Sequence, residues 1–254
     1  MRIKRTPHQL YAGRTTAPRR RINQSLSAFT RVELIAALAA IALLLAVIIA
    51  PALATTNSDS ERLVCFNNLR MIGRAVQMWA GDYGPQTPWL TLVSDGGTMP
   101  TSGVKPGAAW FEYAFLSNEL ATPKILACPS DVGVFRAPDF VTFLTNGYRD
   151  NALSYVVGLH AVGDTPRSWL SGDRNLQPDP GLSSCLANVN NAAQIFQRSP
   201  TSPLAWTNGA VHGEFGHVLL TDGSVEFAPT PRLRALLLSP QADDNGATHF
   251  LKAR

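Results

Sequence analysis

The chain has 254 residues, 45% of them hydrophobic, and a formal net charge of +4. Residues 1–28 carry seven Lys or Arg and no Asp or Glu, which leaves 15 basic against 18 acidic groups in the rest of the chain. A basic segment directly before an apolar run is typical of a cytoplasmic flank. We therefore exclude a nucleic-acid-binding protein and expect a chain that holds one domain with attachments.

Residues 34–54 form an uncharged run of 21 residues. About 20 residues are needed to cross a bilayer, and an ordinary secretory signal has an apolar region of about 7–15. The sequence therefore predicts a basic cytoplasmic leader over residues 1–28 and a transmembrane helix over 29–54. A plain signal anchor is the alternative interpretation of these two segments.

An amphipathic helix is predicted over residues 55–84. Its apolar side chains recur at intervals of three and four, as in a helix with one face turned toward a domain; they are Leu63, Phe66, Leu69, Ile72, Val76 and Trp79. Pro51 lacks an N–H and clashes with the preceding turn, so one kinked helix and two helices with a short break both remain open. Gly and Pro in residues 81–85 predict the end of the helix.

From residue 85 onward the apolar segments are short and turn residues recur, so we assign residues 85–254 to a β-rich extracytoplasmic domain. Strands are predicted over 132–144, 153–162, 217–220 and 225–227, and loops over 168–180 and 199–209. A short helix is predicted over 230–238, with Thr230 as N-cap and Pro231 in the first turn. The fold class is α+β: a long N-terminal helix packed against a small, loop-rich antiparallel sheet.

The segment from Ala28 to Glu33 resembles the N-terminal signal of type IV prepilins and of the pseudopilins of type II secretion. Further motifs are similar to a large pseudopilin-like family abundant in planctomycete and verrucomicrobial genomes. These motifs are Cys65 to Gly73, Trp79 to Gly84, Cys-Pro-Ser-Asp at 128–131, Gly-Asp-Arg-Asn at 172–175, and His212 followed after nine residues by Asp222-Gly223.

The resemblance implies a bacterial inner-membrane protein that a prepilin peptidase cuts between Ala28 and Phe29, after which the new N-terminus is methylated. It also implies assembly with copies of the chain and other pseudopilins through the N-terminal helix, on the platform of a secretion or pilus machine. Glu33 would pair with the free amine of Phe29 in a neighbouring subunit; the alternative is a solvated, idle Glu33. Ala28 stands where the family usually has Gly, and Arg31 where an apolar residue is usual.

Three cysteines permit three choices of a single disulfide. We favour Cys65 with Cys128, which would join the helix to a turn and leave Cys185 as the third thiol; two buried free thiols are the alternative. No Cys-x-x-Cys occurs and no histidine lies near a cysteine at zinc-ligand spacing, so we expect no metal and no cofactor. Calcium is the alternative, because oxygen-rich loops occur at Asp164, Asp173, Asp179 and residues 243–245.

His212 and Asp222 lie close enough in sequence to suggest a hydrolase, but no nucleophile elbow or zinc-binding helix accompanies them. We interpret Asp222-Gly223 as the tight turn of a hairpin, with His212 bonded to a loop carbonyl or to Asp222. The chain is thus predicted to be a structural subunit and not an enzyme. One rival hypothesis is an anchored binding module in which Trp110, Trp169 and Trp206 bind a ligand such as a glycan. The other is an anchored hydrolase that uses His212 and Asp222.

Overall fold

The computed structural model describes residues 30–162, 167–177, 182–185, 189–199, 201–207, 211–238 and 246–252. The chain divides into two units, Met1–Pro51 and Ala52–Arg254. The predicted leader, including Ala28 and Phe29, lies outside the described residues.

In the first unit the main feature is the start of helix α1, Arg31–Tyr83. Its stretch Arg31–Ile49 is long and apolar enough to cross a membrane, by length and composition. The side chains of this stretch are exposed. An apolar N-terminal helix is therefore present where the sequence predicts one.

In the second unit, α1 contributes one face to the core. The helix runs past Pro51 without a break, so the alternative of two separate helices is wrong. Leu69, Ile72, Val76 and Trp79 are buried as predicted, but Leu63 is 61% exposed, and Cys65 and Ala75 take buried positions beside them. The helix ends in residues 81–85 as predicted: Gly84 has a φ of 105°, and its N–H donates to the Ala80 carbonyl at 3.0 Å, as in a glycine C-cap.

Four short α-helices and seven strands follow in the described part of the chain. The helices are α2 Ala109–Phe115, α3 Ser117–Leu120, α4 Phe140–Phe143 and α5 Thr230–Leu237. The strands are β1 Tyr155–Gly158, β2 Trp169–Asp173, β3 Leu182–Cys185, β4 Val189–Gln197, β5 Phe215–Leu220, β6 Val225–Pro229 and β7 Ala247–Leu251. Single 3₁₀ turns occur at Pro88–Leu90, Val93–Asp95, Pro123–Leu126 and Arg149–Ala152.

The strands form one sheet in the order β3-β4-β7-β1-β2-β5-β6, and every described pair is antiparallel. The predicted combination of helix and antiparallel sheet in an α+β class is thus confirmed. Two buried clusters lie against the sheet. Tyr155 and Val157 share one cluster with α1 residues, whereas Val156 belongs to the other with Leu233 of α5. Successive residues of a strand point to opposite faces, so this alternation assigns the clusters to opposite faces of the sheet.

Several sequence predictions are corrected by these elements. Residues 132–144 hold no strand; they form turns and the short helix α4, whose N-cap Asp139 accepts a 2.7 Å hydrogen bond from the Thr142 N–H. The predicted loop over 168–180 instead contains β2, which lies between β1 and β5. Helix α5 is present where predicted, but its N-cap residue is Pro229, and Thr230 begins the helix. Strands β3, β4 and β7 were not predicted from the sequence.

Candidate functional site

The start of α1 carries the first candidate site, Glu33. The Thr30 N–H and hydroxyl each donate to Glu33 Oε2 at 2.9 Å, and the Glu33 N–H donates back to the Thr30 hydroxyl at 3.2 Å. This reciprocal arrangement is a capping box, in which Thr and the Glu three residues later satisfy N–H groups that the first helical turn leaves unpaired. Glu33 is exposed, so its carboxylate caps the helix and remains accessible.

A disulfide joins Cys65 of α1 to Cys128, with their Cα atoms 5.2 Å apart. This is the pair favoured from the sequence, in place of two free thiols. Both cysteines are fully buried, and the Cys128 N–H donates to Ser154 Oγ at 2.9 Å. Cys185, the third cysteine, lies in β3.

Residues 172–175 contact segments that are distant from them in the sequence. Arg174 donates to both carboxylate oxygens of Asp131, at 2.6 Å from Nε and 2.9 Å from the terminal nitrogen. Asn175 Nδ2 donates to the carbonyls of Gly213 and Phe215 at 2.8 and 3.0 Å. The bidentate pair fixes Arg174 in orientation as well as position, and Asn175 holds the segment that connects His212 to β5.

Asp173, the last residue of β2, lies between two histidines. Its Oδ2 accepts the His217 N–H at 2.7 Å and is 3.2 Å from His217 Nδ1. The same oxygen is 3.7 Å from His212 Nε2. The exposed fractions of the three side chains are 0% for Asp173, 1% for His212 and 5% for His217, so bulk water has almost no access to them.

The cluster also touches the disulfide, because His212 Nε2 lies 3.5 Å from Cys128 Sγ. Burial lowers the pKa of His212, and the negative charge of Asp173 opposes that shift. The net downward shift favours a neutral imidazole at pH 7. The rings of Phe66 and Phe227 make edge contacts with the His217 ring. Their centroids lie 6.1 and 5.7 Å from the centroid of His217.

The prediction that His212 bonds a loop carbonyl or Asp222 is corrected, since the described contacts of His212 are with Asp173, Cys128 and the His217 ring. Asp222 is exposed and accepts from the Ser224 N–H and hydroxyl at 2.8 and 2.5 Å. Gly223 has a φ of 80°. Asp222 and Gly223 therefore form the turn of the β5–β6 hairpin, as predicted, at a distance from the histidine cluster.

Four of the five sequence motifs meet at this place, which we call the junction. It comprises Cys65, Cys128, Asp131, Asp173, Arg174, Asn175, His212 and His217. The sequence did not identify Asp173 or His217 as partners of His212. Residues 172–175 fall in the predicted loop over 168–180, and their Gly, Asp and Asn are common in turns, which concealed the strand that carries Asp173.

The tryptophans proposed for a binding module are mostly in the core. Trp169 is fully buried and Trp206 is 5% exposed, and Trp206 Nε1 donates to the Ala228 carbonyl at 2.6 Å. Trp110 is half-buried, with the Arg149 guanidinium 4.5 Å from its ring centroid. Of the residues considered for calcium, Asp173 belongs to the junction, and the others lie outside the described residues.

A scan against protein-family models and searches of curated proteins and of solved structures found no match to this chain. Two groups of side chains bring potential metal-ligating atoms within 4.8 Å of one another: Asp173 with His212 and His217, and His212 with the two cysteines. In the second group both sulfurs are engaged in the disulfide.

Proposed function

We propose that the chain is a pilin-like structural subunit of the bacterial inner membrane, made as a precursor and cut between Ala28 and Phe29. The cytoplasmic leader would be removed, and the globular unit would lie on the other side of the membrane. The observation that carries the proposal is the start of α1, where an exposed Glu33 lies in the first turn of an apolar segment of membrane-spanning length. An acid beside a hydrophobic span is costly and usually has a functional partner.

The chemistry of cleavage supplies such a partner. Cutting before Phe29 creates a cationic amine two residues ahead of the first turn of α1, and such an amine of a neighbouring subunit would pair with the exposed Glu33 carboxylate. Charge pairing of this kind is strong where water is sparse. It would set the axial position of one subunit against the next.

An exposed apolar row on α1 further supports assembly through this helix. Val64, Met71 and Met78 recur every seven residues and are 43%, 43% and 54% exposed. A seven-residue spacing keeps side chains on one side of a helix, so a second helix could cover all three. Copies of the same chain and related pilin-like subunits are the partners we propose for this row.

The buried junction favours a structural role for the globular unit over hydrolysis. A hydrolytic site needs its acid and base within reach of substrate, whereas Asp173 and His212 are 0% and 1% exposed. The core positions of Trp169 and Trp206 likewise offer little ring surface to a glycan. We therefore propose no enzymatic activity.

The test combines processing with assembly. The full chain is expressed with and without a prepilin peptidase, and the N-terminal peptide is measured by mass spectrometry. We expect a new terminus at Phe29, heavier by one methyl group. An intact Met1 in the presence of active peptidase would contradict the proposal and indicate a plain membrane anchor.

Glu33→Gln then separates the two roles of that side chain, because Gln retains the capping contact and loses the charge. Loss of one charge pair worth about 1.4 kcal/mol lowers subunit association about tenfold, and we expect at least this loss in crosslinked multimers with cleavage unchanged. Asp59→Asn, which removes an exposed acid from the same helix, is the matched control and should assemble normally. Equal assembly of Glu33→Gln and wild type would exclude the amine–carboxylate contact.

A further inference from the structure

We propose that Asp173, His212 and His217 form a binding site for one divalent transition-metal ion, with Zn²⁺ as the expected occupant. This proposal does not depend on filament assembly, and none of the three ligands lies on α1. Two imidazoles and one carboxylate are a common ligand set for such ions.

The distances within the trio suit a metal ion. Bonds of about 2.0–2.1 Å at tetrahedral angles place neighbouring donor atoms about 3.3 Å apart. In the structure Asp173 Oδ2 is 3.2 Å from His217 Nδ1 and 3.7 Å from His212 Nε2, and the potential ligand atoms of the trio lie within 4.8 Å of one another. Movements of a few tenths of an ångström would bring both pairs to the spacing of a bound ion.

The unsatisfied state of Asp173 is a second, separate observation. Its side chain is fully buried, and Oδ1 has no hydrogen-bond partner among the described residues. A buried carboxylate oxygen without a partner carries a desolvation cost that hydrogen bonds or a cation must offset. The ion-pair contacts described for Asp173 are both with histidines. A divalent cation between these side chains would supply the missing positive charge.

The surroundings hold the trio in place. Gly172 allows β2 and β5 to approach closely, because a Cβ at that position would lie 2.8 Å from the His217 carbonyl oxygen. Asn175 binds the backbone on the C-terminal side of His212. Ligands fixed by neighbouring contacts lose little freedom when the metal binds. The ion would link the end of β2 to β5 and to the segment before it, beside the disulfide.

The experiment uses the detergent-solubilised full chain with its disulfide intact, stripped with a chelator and dialysed. Zn²⁺ is titrated against a chromophoric chelator, and the bound metal is counted by mass spectrometry. We expect one ion per chain. Asp173→Asn and His212→Gln should each weaken binding at least about 100-fold, since loss of even an outer-shell partner costs 10–100-fold.

His249→Gln is the matched control. His249 is a buried histidine of the same sheet, 3.0 Å from His160, and lies outside the trio, so its loss should leave Zn²⁺ affinity unchanged. Circular dichroism of each metal-free variant shows whether it folds. The Co²⁺ spectrum of the wild-type chain needs no variant, and nitrogen and oxygen ligation predicts visible bands without a thiolate charge-transfer band.

Three results would overturn the proposal. The first is a wild-type chain that binds no ion while its disulfide is intact. The second is binding that appears only after reduction and shows the thiolate band, because Cys65 and Cys128 would then be the ligands. The third is a His249→Gln variant that folds and loses as much affinity as Asp173→Asn.

Discussion

Lys105 and Glu112 form a buried ion pair in the globular unit. Lys105 Nζ is 2.8 Å from Glu112 Oε1, and the two side chains are 3% and 0% exposed. Lys105 also donates to the Trp89 carbonyl at 3.1 Å, and the Thr98 hydroxyl donates to Glu112 Oε2 at 2.7 Å. Burial raises the pKa of Glu112, and the positive charge of Lys105 opposes that shift. Each charge therefore depends on the other for compensation.

We expect Glu112→Gln to lower the free energy of unfolding by about 3–5 kcal/mol, because it removes the negative charge that lies 2.8 Å from the buried Lys105 ammonium. Replacing both residues, as Lys105→Met with Glu112→Leu, should cost clearly less than the sum of the two single replacements. Urea unfolding of the wild type, Lys105→Met, Glu112→Leu and the double variant in mild detergent measures the coupling. Additive losses would show that the pair does not act as a unit.

At the scale of single residues, the sequence predicts contacts between residues that are close in the chain or that belong to a rare residue type. Thr30 and Glu33 are three positions apart, and only three cysteines exist to be paired. Asp173 and His217 are 44 positions apart, and their contact depends on β2 lying beside β5. With β2 interpreted as a loop, no sequence pattern could bring them together.

Strand β2 shows why a central strand escapes detection. All five of its residues are buried, because it lies inside the sheet with a core cluster on each face. Such strands lose the alternation that identifies a half-exposed strand, and the polar Ser171 and Asp173 point inward to specific hydrogen bonds. The opposite error, a strand predicted where none exists, occurs at 132–144. There Val132, Phe135 and Val141 are 101%, 62% and 81% exposed, so they do not indicate a buried strand.

The close approach of β1 and β2 predicts a loss of stability when one methyl group is added at Gly158. A Cβ at Gly158 would lie 2.2 Å from the backbone carbonyl oxygen of Trp169, which cannot move without shifting β2. We expect Gly158→Ala to destabilise the chain by about 3 kcal/mol, the upper end of ordinary overpacking. Thermal unfolding followed by circular dichroism measures the difference.

Gly147 is the matched position, since a Cβ there meets nothing within 4 Å. Gly147→Ala should change stability by no more than about 0.5 kcal/mol. Similar losses of stability at the two positions would mean that reduced chain flexibility, and not contact with Trp169, causes the destabilisation.

At the scale of the whole molecule, the sequence predicts the class of fold but not the order of the strands. The helix–sheet composition followed from periodicity and turn residues. The pairing of β7 with β1 and β4 joins segments distant in sequence, and nothing in the local pattern specifies it.

The disulfide adds a constraint across 63 residues, which in the chain-entropy description contributes about 4 kcal/mol by restricting the unfolded chain.

We expect a fragment comprising residues 57–254 to fold as a soluble protein that unfolds close to the temperature of the full chain, because it keeps the buried face of α1. The comparison fragment, 74–254, removes Cys65, Leu69 and Ile72, which are at most 1% exposed. It should fail to give a cooperative calorimetric transition. A cooperative 74–254, or an unfolded 57–254, would contradict this view of the core.

The position of β7 also determines when the sheet can be completed. Strands β1, β2, β5 and β6 form one continuous ladder and β3 and β4 another, and in the described sheet β7 alone joins the two. Because β7 follows the other six described strands in the chain, the two half-sheets have open edges until β7 pairs with β1 and β4. Open edges invite pairing with other chains. A chain that lacks β7 would therefore be prone to aggregate.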